Sequence, residues 1–322
     1  MVPLMTPDPP AGSEQPPSSD TLFSVALPGE RSLEIGMATD PGRKRRNEPN
    51  QDAILVIPSE NGHPPLFIVA DGMGGYIGGA EASRLVVDAV AARYRQADNI
   101  DDLSALLQEC LQNAFNTLVK HVASHPDLAS MGSTAVLATL QGEQVVVANV
   151  GDSRAYRLRY VEAPSRAASR HFSLLDWFRR SQRSVKDQEP VVEILQLSYD
   201  HSIVADQVRA GQITPLQALR SPKRNRLTQS ITPRRKGIKP FTFQIPFEGE
   251  DTLLLCTDGL WGVVPEATLG AIALELPPQA AADKLVQQAV SYGGPDNVSV
   301  IIARRKGEGD HVLQEEDTKP LN

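Results

Sequence analysis

This sequence predicts an α+β fold built on antiparallel sheets covered by helices, and three observations carry that prediction. Short apolar runs rich in β-branched residues recur along the chain, and runs of that length and content favour strands. Two long segments with helical spacing stand next to each other instead of alternating with single strands. Several strands then come in succession, and a grouped order of this kind implies antiparallel rather than parallel sheets.

The elements follow in order. "LEIGMATD" from Leu33, "AILVI" from Ala53 and "LFIVA" from Leu66 read as three strands. Ala80 to Arg95 and Asp101 to Ser124 read as helices. In the second, Leu103, Leu106, Leu107, Cys110, Leu111, Ala114, Leu118 and Val122 repeat at helical spacing, and Asp101 or Asp102 can cap its start. "TAVLATL", "QVVVANV", "AYRLRY", "VVEILQL", "FTFQI" and "TLLLC" read as further strands. Helices near Pro265 to Leu274 and Pro278 to Ser291 lead to a last strand, "VSVIIA". Outside this region, residues 1–30 have the Pro- and Ser-rich composition of a disordered arm, residues 31–306 form the folded domain, and residues 307–322 make a flexible acidic tail.

Composition excludes several function classes. A net charge of −7 over 322 residues, with a pI near 5.5, forces no basic face of the kind nucleic acid requires. Cys110 and Cys256 fall in a helix and a strand without paired spacing, so neither a disulfide framework nor a zinc site is indicated. No apolar run approaches the roughly 20 residues that span a bilayer. The first residues lack the basic and apolar regions of a secretory signal. The expectation is a soluble, cytoplasmic protein.

The most unusual stretch is "ADGMGGYIGGAE". A glycine-rich turn between strand and helix suggests phosphate, but two phosphate-binding spellings fail. Counting from Gly72, the dinucleotide pattern meets Gly74 and then Ile77. The mononucleotide pattern meets Ala80 and Glu81 where Lys and Ser or Thr are needed. What remains is Asp71, a carboxylate where a buried strand ends, and it has company. Asp258 follows "TLLLC", Asp296 precedes "VSVIIA", Asp52 opens a strand, and Asp152 sits in a tight turn. Taken singly, Asp258-Gly259 and Gly151-Asp152-Ser153 read equally as hairpin turns. As a set, carboxylates at the ends of neighbouring strands would repel one another unless a cation offset them. Oxygen-only ligation selects Mg²⁺ or Mn²⁺. Two such ions sharing a carboxylate activate water and clamp a phosphoryl group, which is hydrolytic phosphoryl chemistry.

At these residues the chain resembles the metal-dependent (type 2C) serine/threonine protein phosphatases in their bacterial form. The resemblance runs from about Leu33 to Arg304 through "RRNEPNQDA", "VADGMGG", "MGSTAV", "VANVGDSRAY", "LSYDHS", "SPKRNRLTQSI", "LLLCTDGLWGVV" and "GGPDNVSVII". It implies a four-layer α-β-β-α sandwich of two antiparallel sheets flanked by antiparallel helices. It also implies two Mn²⁺ or Mg²⁺ ions with a possible third, and phosphorylated proteins, or the kinase that makes them, as partners of a monomer. By resemblance Asp71 bridges two metals, the Gly72 carbonyl is a ligand, and Asp258 and Asp296 complete a shell. Asp152 with Asp258 holds a third ion, Asp52 lies near the attacking water, and Asn297 orients Asp296.

Several positions depart from the family pattern. The phosphate-binding arginine is shifted: Asn47 occupies the usual place, and Arg46 is favoured over Arg45, with a merely solvated basic loop as the alternative. Met73 stands where animal members carry a histidine, and Tyr76 where bacterial members most often have one; packing at the helix start is the reading for Tyr76. His201 reads as structural, with Asp200 or Ser202 capping the helix that opens a flap over residues 199–231. From Val161 to Pro190 the chain is longer than the family connection. Phe172, Leu174, Leu175, Trp177 and Phe178, flanked by arginines, form a docking helix for an acidic partner or membrane surface, or else pack on the domain. The leading expectation is a protein phosphatase; the competing one is a catalytically weak phosphoprotein-binding module of the same fold.

Overall fold

The computed structural model describes residues 23–25, 32–98, 100–162 and 190–305. Two sheets stack face to face. The first runs in the order β1 (Phe23–Val25), β2 (Leu33–Asp40), β12 (Val298–Arg305), β11 (Thr252–Cys256), β8 (Arg154–Val161) and β9 (Val191–Gln196). The second runs β10 (Phe241–Pro246), β7 (Gln144–Val150), β6 (Ala135–Gln141), β4 (Leu66–Met73) and β3 (Asp52–Ile57), with the two-residue β5 (Gly132–Ser133) on the end of β4. The pairings are antiparallel throughout, as the grouped order of elements implies.

Both sheets are covered on both faces, which explains the unbroken apolar runs. Along β4, Leu66, Ile68 and Ala70 face α1 (Tyr76–Arg95) and α2 (Leu103–Ser124). Phe67 and Val69, which alternate with them, meet Leu253, Leu255 and Ile301 of the other sheet. Cys256, Val300 and Ile302 pack outward against α6 (Glu266–Glu275) and α7 (Pro278–Ser291). Period-two alternation thus feeds two core layers from each strand. The result is the four-layer α-β-β-α sandwich expected.

The helices obey their own signals. Asp102 caps α2 by accepting from the Ala105 amide at 2.9 Å, and the side chains expected to be apolar-periodic line the core from Leu103 to Leu118. Helix α1 begins at Tyr76, one turn before the expected start, because the glycines ahead of it can take backbone that other residues avoid. Cys110 and Cys256 are buried and unpaired. Short helices α3 (Ile203–Arg209) and α4 (Pro215–Leu219) fall in the stretch expected to be a flap, and α5 (Asp258–Trp261) follows β11 directly.

Three expectations are corrected. Residues 1–30 are not all arm, since Phe23–Val25 add an edge strand to β2. Asp258-Gly259 is no hairpin turn but the first turn of α5. Asp71 is not at the end of its strand: β4 continues to Met73 because β5 pairs with Gly72 and Met73. The aromatic insertion and the acidic tail lie outside the described residues, as does the side chain of Tyr76.

Glycine decides one packing contact. A Cβ on Gly36, in mid-β2, would stand 2.2 Å from the carbonyl carbon and oxygen of Pro278, at the start of α7. The same contact is fastened by Gln279, which accepts from the Met37 amide at 3.1 Å and donates to the Met37 carbonyl at 3.1 Å, continuing the ladder where β1 stops. Gly36→Ala must push α7 off the sheet. It is expected to lower the thermal midpoint by roughly 5 °C, from an overpacking cost of about 2 kcal/mol. An unchanged midpoint in a calorimetric scan would refute this packing account.

Candidate active site

Topology gathers the five aspartates at one end of the sandwich. Asp52 on β3 lies directly opposite Asp71 on β4. Asp152 occupies the crossover from β7 in one sheet to β8 in the other, Asp258 follows β11, and Asp296 precedes β12. Asp71, Asp152, Asp258 and Asp296 line one cavity of about 660 Å³, together with Arg45, Glu48, Gln51, Gly72, Met73 and Thr134. Asp52 sits behind them, within electrostatic reach of Asp258 and Asp296.

Hydrogen bonds fix these carboxylates. The Asp71 amide donates to Thr134 Oγ1 at 3.0 Å, and the Asp71 carbonyl accepts from the Thr134 amide at 2.8 Å and from Ser133 Oγ at 3.0 Å. Asp52 Oδ2 accepts from Thr257 Oγ1 at 2.9 Å and from Ser299 Oγ at 2.8 Å, which ties β3 of one sheet to β11 and β12 of the other. Trp261 Nε1 donates to the Asp152 carbonyl at 3.0 Å, so α5 holds the crossover that carries Asp152.

The glycines of the opening loop serve close backbone packing. Gly74 and Gly75 take φ of +124° and +86°, where a side chain is strained. A Cβ on Gly72 would stand 1.9 Å from the Gly79 carbonyl oxygen. These contacts press the start of α1 against the end of β4 and leave Gly72 at the cavity wall.

Burial and mutual repulsion shift the acids. Asp52 is pushed up to about 7 by burial, despite its two hydroxyl donors, with repulsion from Asp258 and Asp296 adding to it. Asp258 rises to about 6, first through burial and then through Asp296. Burial also lifts Asp71 and Asp152 well above the carboxylate range; the other aspartates add to Asp71, and Asp258 and Asp200 to Asp152.

Would a cation fit? Asp52 Oδ1 and Asp258 Oδ1 are buried without a hydrogen-bond partner, a costly arrangement that positive charge would relieve. The surrounding donors are oxygens, the set a hard divalent ion selects. Among the described residues no three acidic, histidine or cysteine side chains are drawn round one point as a closed shell. At Asp296 the balancing charge is instead Arg45, whose Nε lies 3.0 Å from Oδ1. The residues present therefore fit divalent ions, with Arg45 as the group that must yield at Asp296.

The structure also sorts the arginines. Arg45 is half-buried and lines the cavity, whereas Arg46, favoured from the sequence, is exposed and is not part of its wall. A tight turn with Gly42 at φ +75° opens the loop that carries both side chains. Asn297 differs too. Its side chain accepts from the Gln51 amide at 3.0 Å and donates to the Pro41 carbonyl at 2.9 Å, and only its backbone amide reaches Asp296, at 2.9 Å. It braces the loop that carries Arg45.

His201 is structural, as expected. Its Nδ1 accepts from the Gly151 amide at 3.2 Å, and burial lowers its pKa. Ser202 caps α3 by accepting from the Ala205 amide at 3.2 Å. Asp200 instead takes both ends of the Arg154 guanidinium, at 3.1 and 2.7 Å. Bridges from Ser202 to Leu227 and from Ser133 to Ile231 attach the flap to the domain beside the cavity. Sequence reasoning missed Thr134, Thr257 and Ser299. The available signal was a hydroxyl inside or beside an apolar strand, next to an aspartate already singled out.

Comparison with known proteins identifies the family. The protein phosphatase 2C family model matches residues 41–288. The serine/threonine phosphatase stp of Listeria innocua is 33% identical over 83% of this chain and 94% of its own. Stp1 of Staphylococcus aureus, a serine/threonine phosphatase of known structure, shares 28% identity over 88% of this chain and 98% of its own, with a TM-score of 0.69. The catalytic domain of the phosphatase PstP, solved in complex with two manganese ions, shares 27% identity over 84% of this chain and 97% of its own, with a TM-score of 0.65. With a family model that spans most of its length and a relative one-third identical over nearly all of that relative's own chain, this chain belongs to the protein phosphatase 2C family.

Proposed function

We propose that this enzyme hydrolyses phosphoserine and phosphothreonine in proteins. The observation that carries the reading is the ring of aspartates with orphaned oxygens beside a cavity that also holds Arg45. Asp71 would bridge two Mn²⁺ or Mg²⁺ ions, the Gly72 carbonyl would join it, and Asp258 and Asp296 would complete a shell. Asp152 with Asp258 would hold a third. When bound there, such ions make water acidic enough to attack phosphorus near neutral pH and offset charge on the phosphoryl oxygens.

The chain's own groups do the rest. Arg45 offers a guanidinium fork to two phosphate oxygens once it leaves Asp296. Asp52, held at Oδ2 by two hydroxyls and free at Oδ1, is placed to take a proton near neutral pH. Met73, at the cavity wall, offers no proton to the leaving alkoxide, so a water or another group must supply it. An enzyme that removes phosphate added by ATP-dependent kinases would work in the cytoplasm and in signalling. Among the described residues no helix is long and apolar enough to cross a membrane. The competing reading, a weakly catalytic binding module, has no support from the aspartates, since none is missing.

Asp258→Asn is expected to cut Mn²⁺-dependent hydrolysis of a phosphopeptide by about a hundredfold or more, with an unchanged circular dichroism spectrum. Retained turnover would sink the phosphatase reading, as would wild-type activity that survives a chelator. Arg45→Ala should lower kcat/KM by at least about tenfold, whereas Arg46→Ala should change it less than about twofold; the reverse order would return the role to Arg46.

Stability should follow pH in an unusual direction. Asp52 and Asp258 titrate higher when folded than the roughly 4 of an unfolded aspartate. Between about pH 4 and 7 the unfolded chain loses these protons while the folded one keeps them, so their contribution to stability falls as pH rises. In chelator, the thermal midpoint of wild type should drop more over that window than that of Asp52→Asn. Millimolar Mn²⁺ should restore more at pH 7.5 than at pH 5.5. Equal midpoint losses for the two proteins would contradict the assignment.

A further inference from the structure

A second cavity, of about 860 Å³, opens beside the first, and Asn225, Asp258 and Asp296 belong to the walls of both. Val204 and Val208 of α3 and Leu219 of α4 form one side of it, and Trp261, Val263 and Val264 the other. Two of its arginines are held by neighbouring acids and rings, while Arg224 adds a cation to the wall. Arg154 pairs with Asp200 at 2.7 Å and Glu266 at 3.3 Å, and lies 3.6 Å over the Trp261 ring. Arg209 pairs with Asp206 at 2.6 Å and lies 3.4 Å over Tyr199. What such a groove offers a visitor is mainly apolar wall. At its rim, α4 exposes Leu216 at 58% and Leu219 at 54%.

We propose that this groove is a specificity subsite for a large apolar side chain of the phosphoprotein, two residues from the phosphorylated one. The inference rests on the phosphatase reading above. Geometry gives the spacing: in an extended segment, side chains two residues apart share a face and stand roughly 7 Å from each other. A phosphoserine that reaches the aspartates therefore presents its second neighbour at the common wall of Asn225, Asp258 and Asp296. Its immediate neighbours point away. The occupant is thus the substrate chain itself, because the groove is continuous with the cavity that receives the phosphate.

The test compares phosphoserine decapeptides carrying Leu, Ser or Asp at the second position before or after the phosphorylated residue, with kcat/KM measured in Mn²⁺. Leu should be preferred to Ser by at least about tenfold at one of the two positions. Val208→Asp, which puts a charge on the apolar wall, should bring that ratio to about one. If circular dichroism shows Val208→Asp to be unfolded, Ala218→Trp fills the groove from its rim and should do the same. The proposal is overturned if neither position favours Leu, if Asp is preferred, which would assign recognition to Arg224, or if the preference survives a folded variant. Chelator-sensitive release of phosphate from p-nitrophenyl phosphate by wild type keeps the two levels apart. Its absence fails the phosphatase reading, while its presence without a Leu preference fails the subsite alone.

Discussion

Everything at this site answers to the repulsion among carboxylates that the strands bring together. Five aspartates from both sheets meet at one end of the sandwich, and the fold must hold them there against their own charge. It does so with hydroxyl donors and nearby cations: Thr257 and Ser299 donate to Asp52, Arg45 pairs with Asp296, and Thr134 Oγ1, accepting from the Asp71 amide, fixes that residue's backbone. The raised pKa values of Asp52 and Asp258, caused first by burial and then by the neighbouring aspartates, reflect what these leave unbalanced. A protein has no reason to carry that burden for stability alone, and strain of this kind accumulates at functional sites.

The same constraint explains why the two sheets register as they do. Asp52 belongs to one sheet, while the hydroxyls that hold it belong to the other, so a slip of either sheet would strand a buried carboxylate. Asp152 makes the second tie, since the crossover between sheets passes through it and Trp261 grips its carbonyl. Apolar packing between the sheets supplies adhesion without direction, and the polar end supplies the alignment.

Much of this was legible in the sequence, for reasons that differ by element. The central strands were readable because they are buried on both faces and so appear as unbroken apolar runs, the edge strands β9 and β10 by their β-branched and aromatic content, and α2 because its stripe is regular and Asp102 caps it. The aspartates were readable as a set because strand ends converge. The inward arginine was not, because Arg45 and Arg46 are adjacent and identical, and only the distant Asp296, which pairs with Arg45, tells them apart. The strand Phe23–Val25 was hidden by a segment whose composition reads as arm, since its pairing with β2 is a tertiary event that local propensity does not record. The role of Asn297 was hidden likewise, as its partners Pro41 and Gln51 are more than two hundred residues away.

One feature of the fold bears on how such a chain can diversify. Strand β8 begins at Arg154, beside the aspartates, and ends at Val161, about 23 Å away along the strand. Val161 pairs with Val191, so the two ends of the long connection are clamped together at the far end of the sheet. Lengthening a loop between ends already held side by side costs little entropy, about 0.6 kcal/mol for each doubling. Sequence can therefore be added or exchanged at this point while the catalytic end keeps its geometry, and the domain can acquire new addresses in the cell without relearning its chemistry.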